Sequence, residues 1–312
     1  RHLFVHPRIV NTNAHDISMY WWSNIAVRQE SGARVLAPAD KTMTHALADV
    51  ELDYRDYPEP KERGIDMSYP CNNRGIGEYF FDMREAGRPW VAQGDRTGYT
   101  FFHVSTDRLP ARKLFCWGAD PAGDRWQEFL CGPGEKYAEI QAGLAPTQYH
   151  SLTMRPGEVW SWTEVYGGLQ LDPAVIHGVW PEAVAATAAA IDHAISREEL
   201  TRIDRELERE CGRRAGKLLA SGTGWGALEQ LRRRRAGIPE VLPEALEFPV
   251  ASLGPAQALW VALLDRTGWP EIDRVAEPGE YQIAPPWIEL LAASLRHENS
   301  DNALAHLHYG VM

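Results

Sequence analysis

The hydrophobic pattern changes its period near residue 172. Before that point, short segments rich in aromatic and β-branched residues alternate with turn signals built from Gly, Pro and Asp, a pattern typical of strands. The predicted strands are Ser18–Arg28, Glu78–Asp82, Gly98–Ser105, Lys113–Gly118, Tyr137–Gly143 and Glu158–Tyr166. Because no long helical pattern separates them, the sequence predicts a large antiparallel sheet or sandwich over residues 1–172.

The chain from Pro173 onward is dense in Ala, Leu, Glu and Arg, which favour helices. Ser196 followed by Glu199 has the spacing of a capping box at the start of a helix. Residues 173–312 are therefore predicted to hold all the remaining regular structure as helices, with short linkers that suggest a degenerate helical-repeat array. The predicted helices are Pro181–Leu219 with a new start at Ser196, Gly224–Ala236, Pro255–Arg266, Pro286–His297 and Asn302–Met312, packed through Trp225, Trp260, Trp269 and Trp287.

The net charge and the composition of the chain argue against two classes of binding partner, nucleic acids and membranes. The 312 residues include 32 Lys and Arg against 43 Asp and Glu, a formal net charge of −11. Since this charge repels a phosphate backbone, no nucleic-acid partner is expected. No apolar run approaches the roughly 18 residues that span a bilayer, so no membrane partner is expected either. A protein partner, or self-association, through the helical region is the remaining alternative.

The spacing of the cysteines and the absence of known catalytic motifs limit the kinds of reaction that the sequence supports. The four cysteines lie far apart without a CxxC pair, which predicts free thiols, no disulfide and a cytoplasmic location. They are Cys71, Cys116, Cys131 and Cys211. The sequence has no HExxH motif, P-loop, GxSxG motif or dinucleotide fingerprint, so no metal and no cofactor are expected. The sequence begins with strand-like residues that no start signal precedes, and it ends inside a helical pattern without a stop signal. Both features predict a segment of a longer polypeptide.

The strand Tyr137–Gly143 has the most informative alternation. Period-two geometry sends Tyr137, Glu139 and Gln141 to one face and small or apolar residues to the other. A carboxylate between a ring and an amide can hold a sugar hydroxyl and transfer a proton, so Glu139 is the first catalytic candidate. The alternative is a solvated strand face without chemistry.

Two other segments repeat this combination of rings and polar groups. In the first strand, Trp22 and Asn24 share a face, and Asn24 is disfavoured inside a strand unless it has a hydrogen-bonding role. In Glu158–Tyr166, Glu164 shares a face with Trp160 and Trp162. That face is either a stacking platform or the core between two sheets.

A third group of polar residues lies in or directly after the last two predicted strands that precede residue 120. His103 and Asp107 follow one predicted strand, and Lys113 shares a face of the next with Trp117. His103 and Trp117 are candidates for substrate binding, and Asp107 is a candidate for a second catalytic acid. A lone histidine is more often structural.

Several segments in chain order carry a resemblance to a known family. They are WWSNIAV at 21–27, APAD at 37–40, FFD at 80–82, STDRLPARKLFCWG at 105–118, EIQAGLAPTQ at 139–148, PGEVWSWTEVYGGL at 156–169 and GTGWGALEQLRRR at 222–234. They resemble a bacterial family of uncharacterised proteins that joins a galactose mutarotase-like (aldose 1-epimerase-like) β super-sandwich to tetratricopeptide-type repeats. The resemblance spans nearly the whole chain and implies the later part of such a sandwich, with its early half missing.

The resemblance also implies a carbohydrate-related function. In mutarotases a Glu-x-Gln strand carries the catalytic carboxylate, which corresponds to Glu139 and Gln141 here. Ile25 and Ala26 stand where mutarotases carry a histidine, so glycoside hydrolysis is favoured over epimerisation. The predicted function is a glycoside hydrolase, with a carbohydrate-binding module or a helical interaction scaffold as alternatives. The catalytic candidates are Glu139 with Glu164 or Asp107, and the substrate-binding candidates are Trp22, Asn24, His103, Trp117, Tyr137 and Gln141.

Overall fold

A computed structural model describes residues 1–45, 52–59, 64–213, 216–217, 219, 223–239, 248–270 and 277–312. Its strands all precede residue 171. They are β1 Leu3–Val5, β2 Arg8–Val10, β3 Ile17–Met19, β4 Trp22–Arg28, β5 Arg34–Leu36, β6 Lys41–His45, β7 Leu52–Asp56, β8 Gly77–Phe81, β9 Trp90–Gly94, β10 Tyr99–Ser105, β11 Ala111–Cys116, β12 Tyr137–Gly143, β13 Leu152–Met154, β14 Val159–Ser161 and β15 Glu164–Gln170.

The strands form two main antiparallel sheets that pack face to face. The five-stranded sheet has the order β1-β15-β10-β9-β5, and the six-stranded sheet has the order β4-β12-β11-β8-β6-β7. Small ladders pair β13 with β3 and β14 with β2. Apolar side chains from both sheets fill the space between them, among them Val35 and Val91 from one sheet and Val27, Leu114 and Ile140 from the other. This arrangement is a β-sandwich.

One helix lies between β11 and β12, and the others follow β15. The first of these others cover the second face of the five-stranded sheet. The helices are α1 Pro121–Cys131, α2 Pro173–Ile176, α3 Trp180–Ala194, α4 Arg197–Cys211, α5 Trp225–Arg235, α6 Ala258–Leu264, α7 Pro285–Ser294 and α8 Ala303–Val311. Phe102 and Val165 of this sheet share a buried cluster with Ala183, Ile191 and Leu200 of α3 and α4. The first compact unit therefore runs from Arg1 to Glu210 and includes these helices.

The second compact unit, Cys211–Met312, has tryptophan side chains at the centre of its core. Trp260 is fully buried and makes edge-to-face contacts with Trp269 and Trp287, at centroid distances of 5.3 and 5.7 Å. Such contacts add to the large apolar area that each indole buries. The packing role predicted for these tryptophans is confirmed.

Most of the predicted pattern is confirmed by the structure. Antiparallel strands precede helices as expected, and the regular structure described after Pro173 is helical. Ser196 caps α4 by accepting the Glu199 backbone N–H at 3.1 Å. All four cysteines are free. The division into domains at residue 172 stays a prediction, because the compact units divide after Glu210 whereas the secondary structure changes at residue 172.

Several details of the predicted strand region were wrong. Ser18–Arg28 is divided into β3 and β4, which lie in different sheets, and β5, β6, β7, β9 and β13 were not predicted. The segment Glu158–Tyr166 is interrupted at Trp162 and Thr163, so it contributes to two different sheets as β14 and β15. A helix, α1, also stands between strands where no helical pattern was expected. The turn signal at Asp120 and Pro121 is equally a helix start, since Asp120 accepts the Gly123 N–H as an N-cap and proline suits the first helical turn.

Candidate functional site

The outer face of the six-stranded sheet, turned away from the sandwich core, brings most of the predicted site residues together. On this face the strand register pairs Gln141 with Asn24 on one side and with Lys113 on the other. Glu139 is paired with Phe115 in the same way. The alternation predicted for Tyr137–Gly143 is therefore realised, because Ala138 and its alternate neighbours are the ones that face the core.

A continuous series of hydrogen bonds crosses this face, and we call its members the polar chain. Asn24 Nδ2 and Gln141 Nε2 both donate to Glu139 Oε2, at 2.6 and 2.9 Å. Gln148 Nε2 donates to Gln141 Oε1 at 2.7 Å. Lys113 Nζ then donates to Gln148 Oε1 at 2.5 Å and to Glu78 Oε1 at 2.7 Å. The polar chain thus fixes two carboxylates, Glu139 and Glu78, on one surface.

One end of the polar chain is bounded by Trp22. Its indole lies across Gly143 of the neighbouring strand, where an added Cβ would overlap the ring. The indole reaches Phe80, with ring centroids 5.9 Å apart. Phe80 in turn lies 4.6 Å from Lys113 Nζ. Because Gly143 has no Cβ, the ring can approach this strand closely, and Trp22 forms an aromatic wall beside the amides and the lysine.

The other end is bounded by a second aromatic group. Trp117 contacts Phe115 and Tyr137 edge to face, at centroid distances of 4.9 and 6.4 Å, and stacks on Trp126 of α1 at 5.9 Å. Burial first of all, and also the neighbouring Glu139 carboxylate, raises the pKa of the Tyr137 hydroxyl. Tyr137 is therefore a neutral hydrogen-bond donor next to Glu139 at pH 7.

His103 and Glu164 lie elsewhere, in the core between the two sheets. Glu164 is only 1% exposed and accepts four hydrogen bonds of 2.6 to 3.0 Å. The donors are Ser23 Oγ, His103 Nε2, Trp162 Nε1 and Tyr166 Oη. Ser23 faces the core from β4 and its neighbour Asn24 faces outward, so Glu164 and Glu139 lie on opposite sides of the six-stranded sheet.

Burial and hydrogen bonding act differently on two titratable groups of this core cluster. Burial, together with the positive charge of Arg112, lowers the pKa of His103 to about 4. Burial opposes the ionisation of Glu164, but hydrogen bonds from His103, Ser23 and Trp162 outweigh it and lower the pKa of Glu164 to about 2. At pH 7 a neutral imidazole therefore donates to an ionised carboxylate.

The stability of the first unit should fall as the pH is lowered from about 6.5 toward 4. An unfolded histidine binds a proton near pH 6.5, whereas folded His103 resists protonation down to about pH 4. The unfolded state therefore gains protons first, at a cost to stability of up to about 3 kcal/mol from His103. Glu164 adds a further loss below about pH 4.5, because its folded pKa is also lowered.

Urea unfolding at a series of pH values measures this dependence. In His103→Gln the slope between pH 6.5 and 4 should be flatter, while the exposed His15→Gln serves as the matched control with an unchanged slope. An equal slope in wild type and His103→Gln would show that His103 does not carry the effect.

Asp107 lies apart from both clusters. Its carboxylate is 66% exposed and pairs with Arg197 of α4 at 2.6 Å. A surface groove of about 820 Å³ runs along α4 between Ser161 and charged residues of the helix, and it contains none of the predicted site residues. Sequence reasoning did not select Glu78 or Gln148. Lys113 was noted on the Trp117 face, but only the strand register shows that it reaches both of them.

The fold and this face together define a class of protein. It is a two-sheet antiparallel sandwich followed by helices, with a carboxylate-bearing polar surface between aromatic walls on its outer sheet. Residues 4–159, half of the chain, match the family described as Domain of unknown function (DUF5107), and the chain belongs to that family. The expected membership of an uncharacterised family is confirmed. Among curated proteins, none matches the sequence significantly.

Several solved structures are similar to this chain at low sequence identity. A TPR-domain containing protein from Parabacteroides distasonis is 15% identical, with a TM-score of 0.49 over 99% of this chain and 49% of that one. A candidate aldose 1-epimerase from Escherichia coli K12 is 15% identical, with a TM-score of 0.42 over 55% of this chain and 57% of that one. A galactose mutarotase-like protein from Clostridium acetobutylicum is 14% identical, with a TM-score of 0.35 over 54% and 52%.

These similarities describe fold only. The chain spans about half the length of the solved structures that it resembles. Among the residues that the structure describes, no helix is long and apolar enough to cross a bilayer.

Proposed function

We propose that this chain acts on carbohydrate as a glycoside hydrolase, binding a sugar on the outer face of the six-stranded sheet and using Glu139 to transfer a proton. The observation that carries the proposal is the setting of Glu139. Two amides, from Asn24 and Gln141, hold one carboxylate oxygen, and the neutral hydroxyl of Tyr137 lies beside it. Fixed amides and carboxylates suit the hydroxyl groups of a sugar, and a positioned carboxylate can act as acid or base.

The aromatic walls support the same proposal. Trp22 lies at one end of the polar chain, and Trp117 with Tyr137 lies at the other. Indole and phenol rings offer flat apolar faces next to polar groups, which suits a ligand whose ring has apolar C–H faces and polar edges. Small-ligand sites combine such apolar walls with a few fixed polar groups.

A carbohydrate-binding module without turnover is the second candidate. The position of the other two predicted acids favours it, because Glu164 lies in the sandwich core and Asp107 pairs with Arg197 at the surface. Glycoside hydrolysis ordinarily requires a pair of carboxyl groups that flank the scissile bond. Without a partner for Glu139, the same face would bind sugar and leave it intact.

Replacing Glu139 by glutamine separates these functions. The amide keeps the size of the side chain but cannot transfer a proton, so turnover should fall by at least about 100-fold while sugar binding is retained. Turnover is measured as nitrophenol release from a panel of para-nitrophenyl glycosides, and binding is measured by tryptophan fluorescence with free saccharides. The exposed Glu85→Gln is the matched control and should behave as wild type.

Each outcome separates the candidates. Unchanged turnover in Glu139→Gln would remove Glu139 from the mechanism. A wild-type protein that binds saccharides and hydrolyses none of the glycosides would be a binding module. A protein that binds none of the saccharides would contradict a carbohydrate function altogether.

A further inference from the structure

The outer face carries a second carboxylate in line with Glu139. Phe115 of β11 is paired across the sheet with Glu139 on one side and with Glu78 on the other. The two glutamates therefore occupy the same row, separated by one strand, and their side chains leave the same face. Glu78 is 36% exposed, so its carboxylate is accessible to water and to a ligand.

We propose that Glu78 is the catalytic partner of Glu139 and that the pair hydrolyses glycosides with inversion at the anomeric carbon. The inference rests on the proposed function and adds to it a residue and a stereochemical outcome. Neither Glu164 nor Asp107 is needed for the reaction.

The spacing of the two strand positions favours this outcome. Two successive antiparallel pairings place the Cα atoms of Glu139 and Glu78 roughly 10 Å apart. Inverting glycosidases hold their carboxyl groups about 6.5–9.5 Å apart, which leaves room for a water molecule, whereas retaining enzymes need about 5–5.5 Å. Side chains that leave one face of a sheet in parallel keep roughly the spacing of their Cα atoms, which is closer to the first range than to the second.

The polar chain assigns different roles to the two glutamates. Glu78 forms an ion pair with Lys113 Nζ at 2.7 Å, and we assign to it the role of the base. Lys113 is almost fully buried, which fixes the carboxylate of Glu78 in one position. Both amide donors of Glu139 reach Oε2, so Oε1 is the oxygen to which we assign the transfer of a proton to the leaving oxygen.

The resulting step is balanced without a cofactor. A water molecule held by Glu78 attacks the anomeric carbon while the bond to the leaving oxygen breaks. Glu78 accepts a proton from that water, and Glu139 donates its proton to the leaving oxygen. Because attack and departure occur on opposite faces of the sugar, the configuration inverts.

The test uses the whole chain and two kinds of substrate. The para-nitrophenyl glycosides that the wild type hydrolyses are compared with dinitrophenyl glycosides, whose leaving group departs without an acid. Glu139→Gln should lose turnover only on the poorer leaving group. Glu78→Gln should lose at least about 100-fold on both, because the base is needed in each case. Proton NMR of the sugar released first should show the inverted anomer.

Azide distinguishes a catalytic Glu78 from a merely structural one. In Glu78→Ala, azide can take the place of the missing activated water and should form a glycosyl azide of inverted configuration, which also proves that the variant is folded. A retained anomer, or full turnover in Glu78→Gln beside an inactive Glu139→Gln, would overturn the pairing and leave the carbohydrate function in place. A wild type that hydrolyses no glycoside would overturn the hydrolase itself and this inference with it.

Discussion

Replacing Glu164 by leucine is expected to lower the free energy of unfolding of the first unit by about 3–5 kcal/mol. Glu164 is buried between the sheets and accepts hydrogen bonds from four side chains, those of Ser23, His103, Trp162 and Tyr166. Its charge also favours the charged form of the fully buried Arg112. Leucine removes the acceptor and the negative charge together, which leaves the four donors without their acceptor and Arg112 without this nearby negative charge in the buried core.

Urea unfolding at pH 7 measures the loss. Glu164→Gln should lose less than the leucine variant, because its amide oxygen still accepts part of the hydrogen bonding, and the exposed Glu85→Gln should change little. A loss below about 1 kcal/mol in Glu164→Leu would mean that the cluster is not energetically important, since that is the scale of an ordinary surface pair.

Replacing Arg34 by methionine is expected to have an effect of similar size, again about 3–5 kcal/mol. The guanidinium is only 3% exposed and donates to Ser68 Oγ, to Asp66 Oδ2 and to the carbonyls of Ile176 and Gly178. It therefore joins β5 to the segment around residue 67 and to the end of α2. Methionine fills a similar volume, but it leaves one carboxylate and two carbonyls without their donor.

Two further variants test the reason for this effect. Arg34→Lys keeps the charge but cannot reproduce the forked donor geometry, so its stability should lie between wild type and methionine. Arg84→Met removes an arginine that is 69% exposed and pairs with Asp82, so it should cost less stability than Arg34→Met, whose contacts are buried. Equal losses in Arg34→Met and Arg84→Met would contradict a special role for the buried contacts.

Local pattern was enough to predict most elements of this fold. Alternation of rings and polar residues located β12 and the outward position of Glu139, and helix formers with a Ser196 cap located α4. These signals act within a few residues of each other, so they are legible in a single sequence. The helix α1 was missed because it buries only Gly123 and Gln127 and so lacks an apolar stripe.

Contacts between distant strands could not be predicted in the same way. Glu78 and Glu139 become neighbours of Phe115 only through the order and register of three strands, and no local pattern specifies that order. The contact between His103 and Glu164 was equally unpredictable, because it depends on the pairing of β10 with β15. The sequence showed residues suited to a site, whereas the sheet topology decided which of them meet.

The strand β4 links the interior of the sandwich to its surface chemistry through two adjacent residues. Ser23 binds Glu164 in the core, and Asn24 binds Glu139 on the outer face. A shift of β4 by one residue would exchange these orientations and remove both contacts at once. A misaligned β4 would therefore lose a hydrogen bond in the core and another on the surface. The contact between Ser23 and Glu164 thus also helps to hold Asn24 in position beside Glu139. Substitutions on the outer face of β4 therefore preserve Ser23 in the core only when they leave the register of this strand unchanged.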